Sequence, residues 1–347
     1  MKRIGYLFEK IYDKNNLKLA IKNASKYKRK RADVRKILNN EEKYINKLYD
    51  LLKNETYILN QNLNKFQVIE CGKVRDIIEP RFYPDQIIHW ALIQVIKEPV
   101  LMRGMYEFNC GSINGRGGNL ARKYTERIMR KKKCKYCLKL DIKKYFPNID
   151  CKRLYKKFER KIKDEKTLRL IHTIIGDEIG LPIGYYSSQW FSNFNLQDLD
   201  HFIKETLHIK FYSRYVDDMV LCDNNKRKLH QARLEIDKYL KENEGLELKG
   251  NYQVFDLSKR AIDYVGYQFQ KGCKTLLRKR IFKKIKKRVC KIKKHKNCSL
   301  KQAQGLMSLI GWLKKTLSYN FYSKCIKPII KIGTLKGIIS KYAKLTT

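Results

Sequence analysis

The stretch Phe211-Tyr-Ser-Arg-Tyr-Val-Asp-Asp-Met-Val-Leu-Cys222 places two adjacent carboxylates, Asp217 and Asp218, between two runs of apolar and aromatic residues. Two such runs around a short polar turn predict a β-hairpin with both acids at its tip. Adjacent carboxylates repel each other and lose solvation beside buried backbone. A divalent cation offsets that cost, and a set of oxygen ligands is typical of Mg²⁺.

A third acidic residue, Asp141, ends another predicted apolar strand. It lies within the sequence Leu138-Lys-Leu-Asp-Ile-Lys-Lys-Tyr-Phe146. If this strand pairs with the hairpin in one sheet, Asp141 comes close to Asp217 and Asp218. Three carboxylates suffice to hold two cations ~3.5–4 Å apart, as in two-metal sites. The sequence therefore predicts a site for two Mg²⁺ ions, or Mn²⁺ in their place.

The chain as a whole is strongly basic. Its 347 residues include 78 Lys+Arg and 34 Asp+Glu, a formal net charge of +44. A field of that sign favours polyanions, and nucleic acid is the usual partner. The 43% hydrophobic residues argue against disorder as the origin of the charge. Because no apolar run approaches ~18 residues and no secretory signal is evident, we expect a cytoplasmic protein without membrane partners.

The order of predicted elements indicates a mixed middle region between two helical ends. Residues 1 to about 65 and those after about 272 have helical patterns, and the last region contains a dense Lys/Arg helix over 278–296. Between them the pattern predicts a hairpin over 66–81, a helix over 85–97, a glycine-rich loop over 109–118, a helix over 119–131, and strands over 136–142, 211–222, 252–257 and 262–269.

These motifs resemble, in order, those of reverse transcriptases, and the resemblance runs from about residue 66 to 270. Asp141 with Phe146 five residues later resembles the first palm motif, and Tyr215-Val-Asp-Asp218 resembles the YxDD motif. The remaining matches are Lys73-Val-Arg-Asp-Ile-Ile-Glu-Pro80 and Gly115-Arg-Gly117 for the fingers, Gly180-Leu-Pro-Ile-Gly-Tyr-Tyr-Ser-Ser-Gln189 for the segment between the palm motifs, Lys249 for the basic loop, and Val265-Gly-Tyr267 for the primer grip.

The resemblance implies an α+β fold, the right-hand polymerase with interleaved fingers and palm and a C-terminal helical thumb. The palm is then an antiparallel, ferredoxin-like sheet. The expected domains are 1–135 for the N-terminal helices and fingers, 136–272 for the palm with finger helices near 150–180, and 273–347 for the basic thumb.

The same resemblance implies the roles of individual residues. The catalytic set is Asp141, Asp217, Asp218 and Lys249, and the metal ligands are Asp141, Ile142, Asp217 and Asp218. The nucleotide-binding residues are Lys73, Arg75, Phe146, Ile183, Gly184 and Gln189. The primer grip is Val265, Gly266 and Tyr267, and further nucleic-acid contacts come from Arg116, Arg278, Lys279 and Arg280. The ring of Phe146 is expected to exclude a 2′-hydroxyl, and Lys249 to protonate pyrophosphate.

One departure bears on the subtype. Better-known reverse transcriptases usually have Gln-Gly and Ser-Pro where this chain has Ile183-Gly184 and Ser188-Gln189. That form resembles the enzymes of diversity-generating retroelements, which implies error-prone copying of a template RNA at adenines, dNTP substrates, an RNA–DNA hybrid product and a basic oligomeric accessory protein. A phage-defence reverse transcriptase remains an alternative. A non-catalytic RNA-binding scaffold is the alternative from a different class.

Overall fold

The computed structural model describes residues 2–60, 63–70, 73–272, 275–295, 297–316 and 318–344. Helices and short strands alternate along the chain. The helices are α1 (Phe8–Tyr12), α2 (Lys14–Ala24), α3 (Ala32–Leu38), α4 (Glu41–Lys53), α5 (Ile87–Ile96), α6 (Gly117–Met129), α7 (Tyr145–Asn148), α8 (Cys151–Lys161), α9 (Glu165–Ile175), α10 (Tyr186–Asn195), α11 (Gln197–His201), α12 (Lys226–Tyr239), α13 (Lys279–His295), α14 (Leu300–Leu313), α15 (Tyr319–Phe321) and α16 (Ile332–Lys344).

The strands form three small sheets. They are β1 (Asn64–Glu70), β2 (Lys73–Glu79), β3 (Tyr136–Asp141), β4 (Phe211–Tyr215), β5 (Asp218–Asp223), β6 (Gln253–Asp256), β7 (Ile262–Tyr264), β8 (Tyr267–Phe269) and β9 (Leu276–Leu277). The sheet orders are β1-β2, β4-β5-β3-β6 and β7-β8-β9. No helix in the described ranges is both long enough and apolar enough to cross a lipid bilayer.

The chain divides into two compact units, each built from three separate segments. The first unit contains Met1–Gly117, Leu140–His208 and Gln231–Tyr252. The second contains Gly118–Lys139, Ile209–His230 and Gln253–Thr347. The boundary falls inside β3, after Lys139, so the two ends of this strand belong to different units.

Helix α5 lies at the centre of the first unit. Seven of its residues are buried, including Ile88, His89 and Leu92, which fits the rule that a helix apolar on all faces is an interior helix. The amphipathic helix α2 packs against it through Leu17 and Ile21, both fully buried. A π-helical turn follows α5 at Lys97–Leu101. The segment before α5, Phe82–Gln86, is kinked, because Tyr83 has an extended backbone.

Helices α8 and α9 show how local signals set element ends in this unit. Each begins after an aspartate that accepts a backbone N–H: Asp150 from Arg153, and Asp164 from Thr167, as N-cap residues do. The intervening Ile162 is extended and pairs with Ile4 in a parallel bridge. Asp164 also accepts the N–H groups of Leu7 and Phe8, so the cap fixes the N-terminal segment as well.

The hairpin predicted over 66–81 is confirmed as β1 and β2. Its register pairs Phe66 with Ile77 and Val68 with Arg75. The hairpin extends into solvent, since Phe66, Val68 and Val74 are all exposed. Cys71 and Gly72, between the two strands, lie outside the described residues.

In the second unit, the sheet β4-β5-β3-β6 has a buried apolar centre. Strand β5 buries Met219, Val220, Leu221 and Cys222 in succession, which is typical of a strand covered on both faces. Strands β4 and β5 are antiparallel, as are β3 and β6. The predicted strand over 136–142 and the hairpin over 211–222 are therefore confirmed within a residue or two.

The C-terminal helices form the rest of the second unit. The basic helix α13 buries Ile285, Val289 and Ile292 against α14, and α14 packs on α16. The helical pattern expected after about residue 272 is interrupted, because the chain leaves helical geometry between Ile326 and Ile332. Pro328 lies in this break; a proline has no N–H and collides with the preceding turn.

Candidate active site

The acidic hairpin turn lies between β4 and β5. Tyr215 and Asp218 are paired residues, so Val216 and Asp217 form a two-residue turn. All four are partly exposed. Val216 has φ = 58°, a left-handed conformation that is unfavourable for a β-branched residue and costs of order 1–3 kcal/mol. The buried guanidinium of Arg214 donates to the carbonyl of Val216 at 3.0 Å, so an interaction that the sequence did not suggest supports the turn.

A lysine of the neighbouring strand faces Asp218. In the second unit, Lys139 Nζ lies 3.4 Å from Asp218 Oδ2, and the same ammonium group donates to the carbonyl of Asp263. Lys139 is two residues before Asp141, and residues two apart in a strand share a face. The Asp218 end of β5 therefore already contacts a cationic group.

Asp141 is held by Lys249 within the first unit. Lys249 Nζ lies 2.5 Å from Asp141 Oδ2, and the Lys249 N–H donates to the Asp141 carbonyl at 2.8 Å. The next residue, Ile142, forms an antiparallel bridge with Leu248. The predicted proton donor and the first predicted metal ligand are thus ion-paired, although 108 positions separate them in the chain.

One carboxylate oxygen of Asp141 is open to a divalent cation. Asp141 Oδ1 is buried and has no hydrogen-bond partner among the described residues, an unmet acceptor of the type that Mg²⁺ prefers. No group of three or more His, Cys, Asp or Glu side chains in the described ranges is close enough to hold a metal ion. Asp141 and Asp218 each face a lysine ammonium, so each carboxylate by itself fits a cation, which would replace that contact.

Phe146 is the second residue of the short helix α7, just after Asp141. Its ring is partly exposed and contacts Tyr145 edge-on, with 5.7 Å between the ring centroids. Its carbonyl accepts the N–H of Leu181 at 2.9 Å, which ties the turn to the segment preceding α10. The ring is therefore not part of the closed core, and its accessible edge is free to act in recognition.

Ile183 and Gly184 lie against the hairpin β1–β2 in the first unit. The N–H of Ile78 in β2 donates to the Ile183 carbonyl at 2.8 Å. A Cβ on Gly184 would lie only 2.4 Å from the Ile78 carbonyl oxygen, and its φ is 130°. Only glycine fits this approach. The sequence did not predict this pairing, because neither segment contains a pattern that indicates its partner. Gly184 was the one available signal, since a glycine can mark a close approach of two backbones.

The residues after Gly184 belong mostly to the core. Tyr185 is buried and lies against His89; burial raises the pKa of Tyr185 to about 12 and lowers that of His89 to about 3. Tyr186 stacks on Trp90 at 3.8 Å, and Trp190 is buried. Gln189 is exposed, so of these side chains it is the one most available to a ligand.

The basic residues that were expected in the fingers differ in their surroundings. Arg75 is exposed on β2, opposite Val68, whereas the Lys73 side chain lies outside what the structure describes. Arg116 donates through Nη1 to the Tyr106 carbonyl at 2.7 Å. Arg116 therefore holds the glycine-rich loop together, which leaves the rest of its guanidinium for other contacts.

The hairpin of Val265, Gly266 and Tyr267 packs against the C-terminal helices of its own unit. Val265 and Gly266 have φ values of 43° and 86°, as in a two-residue turn between twisted strands. A Cβ on Gly266 would lie 2.5 Å from the Trp312 ring. The Arg278 Nε donates to Asp263 at 2.7 Å, so this predicted nucleic-acid ligand is ion-paired, while Lys279 and Arg280 are exposed.

Comparison with known proteins identifies the family. The family model described as reverse transcriptase (RNA-dependent DNA polymerase) matches residues 28–269. The chain belongs to this family, and the resemblance found in its motifs is confirmed at that level. Retron Ec73 reverse transcriptase of Escherichia coli is 28% identical over 170 residues, which cover 45% of this chain and 51% of that protein. The chain thus spans about half the length of that curated relative.

Solved telomerase structures align with the chain at low scores. The telomerase of Candida albicans, solved with a TWJ fragment of telomeric RNA, aligns with a TM-score of 0.47 and 13% identity, covering 76% of this chain and 54% of that chain. Apo telomerase of Candida tropicalis truncated from its C-terminal domain gives a TM-score of 0.45 and 13% identity, covering 64% of this chain and 57% of that chain.

Proposed function

We propose that this chain is an RNA-directed DNA polymerase that extends a primer with dNTPs on an RNA template. One observation carries the proposal: the family match includes Asp141, Asp217 and Asp218, two of which already face cationic side chains. A scaffold that only binds RNA has no use for clustered carboxylates. Their mutual repulsion would lower its stability and would oppose binding of a polyanion.

Within the second unit, β3 and β5 are neighbouring strands, and the N–H of Lys135, just before β3, donates to the carbonyl of Asp223, the last residue of β5. The ion pair of Lys139 with Asp218 joins the other ends of the same two strands. Asp141 resembles the first palm motif of the family, and Asp217 and Asp218 resemble its YxDD motif. On these grounds we assign the three acids to one catalytic centre.

Reverse transcriptases generally use divalent metals, and we assign Mg²⁺, or Mn²⁺, to Asp141, Asp217, Asp218 and the backbone of Ile142. The bound ions would lower the pKa of the primer hydroxyl and stabilise the pyrophosphate that leaves. Lys249 then donates its Nζ proton to a pyrophosphate oxygen once Asp141 no longer holds the ammonium. Lys73 and Arg75 neutralise the triphosphate, and Phe146 excludes a ribose 2′-hydroxyl.

The architecture we propose is the right hand. The hairpin β1–β2 and its neighbours are the fingers, the sheet β4-β5-β3-β6 is the palm, and α13 to α16 are the thumb. Val265, Gly266 and Tyr267 hold the primer strand. Lys279 and Arg280, exposed at the start of α13, contact the phosphates of the RNA–DNA hybrid; Arg116 and Arg278 support these contacts from their ion-paired or hydrogen-bonded positions.

The decisive experiment compares Asp217, in the turn before β5, with Asp223, the last residue of β5. Asp217→Asn is expected to abolish primer extension with Mg²⁺ while leaving RNA affinity within about twofold, because binding comes mainly from Lys and Arg contacts to phosphate. Asp223→Asn is the matched control and keeps near wild-type extension. Extension by Asp217→Asn at the wild-type rate would refute the polymerase centre.

For the subtype, we propose error-prone copying in a diversity-generating retroelement, aided by a basic oligomeric accessory protein. Ile183-Gly184 supports it, because the side chain of Ile183 offers no hydrogen bond to the nucleotide. The similarity to a retron reverse transcriptase favours a second candidate, an enzyme of that kind without diversification. The spectrum of errors in cDNA made on a defined RNA separates them: an excess at template adenines supports the first, and uniform errors support the second.

A further inference from the structure

The second unit contains a cavity of about 860 Å³ that the proposed polymerase centre does not use. One wall is a face of α6, the second is the end of β8 with the residues after it, and the third is the segment that follows α14. None of the described residues lining it belongs to β3, β4 or β5. A volume of this size is within the range of ligand sites in proteins.

Cationic side chains dominate the wall of the cavity. They are Arg122, Arg130, Lys271, Lys314 and Lys315, against one carboxylate, Glu126. Glu126 is already satisfied, because Arg122 Nη1 lies 2.6 and 2.7 Å from its two oxygens and Thr275 also donates to it. That pair is neutral, so the remaining cations give the cavity four uncompensated positive charges. None of the four forms an ion pair within the described ranges.

Two of these groups are partly buried. Lys271 donates to the Cys134 carbonyl at 2.8 Å, which fixes its ammonium and leaves two further N–H groups. Arg122 is 13% exposed, and its Nε is buried with no hydrogen-bond partner among the described residues. A buried N–H without an acceptor is unfavourable unless a ligand or water supplies one.

A purely structural role explains each of these cationic side chains separately, but it does not explain why they surround one cavity. Arg130 follows α6, and Lys314 and Lys315 follow α14; positive side chains near helix C-termini are ordinary. Helix ends do not require these groups to converge on one cavity with Lys271 from a different element. Because like charges repel, that convergence favours an anionic occupant.

We propose that this cavity binds the sugar–phosphate backbone of a nucleic-acid strand outside the polymerase centre. The proposal takes from the proposed function that nucleic acid is the ligand and that the turn at Val265 and Gly266 holds a strand of it. Arg130, Lys314 and Lys315 are exposed at the rim, where they reach successive phosphates, while Arg122 and Lys271 contact the deepest one. A row of exposed cations leading into a partly buried pair suits a linear polyanion better than a compact one.

The position of the cavity fits a continuous strand. It lies at the Phe269 end of β8, and the turn at Val265 and Gly266 lies at the other end of the same strand. Three residues of a strand span about 10 Å, which about three nucleotides cover at a rise of ~3.4 Å each. A strand held at the turn therefore reaches the cavity, where its contacts add to affinity without entering the chemistry.

The test removes the three rim charges together in Arg130→Gln/Lys314→Gln/Lys315→Gln. The matched control is Lys18→Gln/Lys22→Gln/Lys26→Gln, which removes the same charge from exposed positions on and just after α2. Binding of primer-free RNA, single-stranded DNA and an RNA–DNA hybrid is titrated from 0.05 to 0.3 M salt, without dNTPs or divalent metal. Because no catalysis is needed, the result is independent of the Asp217→Asn experiment.

The rim variant is expected to bind at least one of these nucleic acids roughly 10- to 100-fold more weakly at 0.1 M salt, with a salt slope smaller by about 2, as three lost single-strand contacts give. The control changes binding less than threefold. Equal weakening in both variants would overturn the site in favour of a general charge effect. Tight binding of free ATP or inorganic triphosphate that only the rim variant loses would also overturn it, in favour of a nucleotide site.

Discussion

At the scale of single residues, Phe146 is positioned for recognition rather than packing. Its ring edge is partly exposed while its backbone is fixed by Leu181. Phe146→Ala is expected to raise incorporation of ribonucleotides relative to deoxynucleotides, because removing the ring opens the space that a 2′-hydroxyl needs. Single-turnover extension with dNTP and NTP measures the ratio. Phe202→Ala, at a partly buried ring stacked on Tyr239, is the control; an unchanged preference in Phe146→Ala would assign that ring to packing.

Ile183 is the second residue with a distinct expected effect. Its backbone is fixed to Ile78, so a substitution changes the side chain alone. Ile183→Gln is expected to lower misincorporation opposite template adenine, because an added hydrogen bond to the nucleotide, worth ~0.5–1.5 kcal/mol, holds a correct pair more firmly. That energy corresponds to roughly 2- to 13-fold.

The measurement is sequencing of cDNA made on one defined RNA. Ile179→Gln is the control, since Ile179 is an exposed isoleucine of the same segment. Equal adenine error rates with activity retained would locate infidelity in the RNA or in a partner, and would favour the retron-like candidate.

At the scale of elements, the hairpin β7–β8 is joined to the C-terminal helices through Gly266. Gly266→Ala is expected to lower the free energy of unfolding by about 2–4 kcal/mol, because the methyl group meets the Trp312 ring and the left-handed backbone disfavours a side chain. Gly272→Ala shares the positive φ but has no atom within 4 Å of the added Cβ, so a loss of only about 1 kcal/mol is expected.

Denaturant unfolding measures both glycine variants, and the difference between them isolates the contact with Trp312. Equal losses would mean that the hairpin and α14 do not depend on each other for stability. Reduced primer affinity in Gly266→Ala, with RNA affinity retained, is the functional consequence expected if this hairpin holds the primer.

At the scale of the whole molecule, elements were more predictable than the contacts between them. The 3.6- and 2-residue periodicities predicted α5, α6, β3 and the β4–β5 hairpin within a few residues, because each depends on its own segment. Distant segments are joined by three contacts: the pairing of Ile183 with Ile78, the salt bridge of Lys249 with Asp141, and the close approach of Gly266 to the Trp312 ring. The periodicity of a segment carries no information about which distant segment it contacts. Only the family motifs indicated that these segments meet.

The net charge of +44 gives the last prediction. Excess positive charge destabilises the compact state by self-repulsion, and salt shortens the range of that repulsion, with a Debye length of about 10 Å at 0.1 M. The melting temperature of the free protein should therefore rise as salt increases from 0.05 to 0.3 M.

A bound oligonucleotide should raise the melting temperature further, by an amount equivalent to about 2.7 kcal/mol at a hundredfold excess over the dissociation constant. That second increment should shrink with salt, because nucleic-acid affinity falls as counterions compete. The two trends oppose each other, so the melting temperatures with and without oligonucleotide converge at high salt.

Thermal unfolding across a salt series measures both melting temperatures, with polyglutamate at equal charge as the control. A melting temperature that falls as salt is added to the free protein would show that repulsion among these lysines and arginines does not limit stability, and equal stabilisation by polyglutamate would assign the effect to the charge field rather than to nucleic-acid sites.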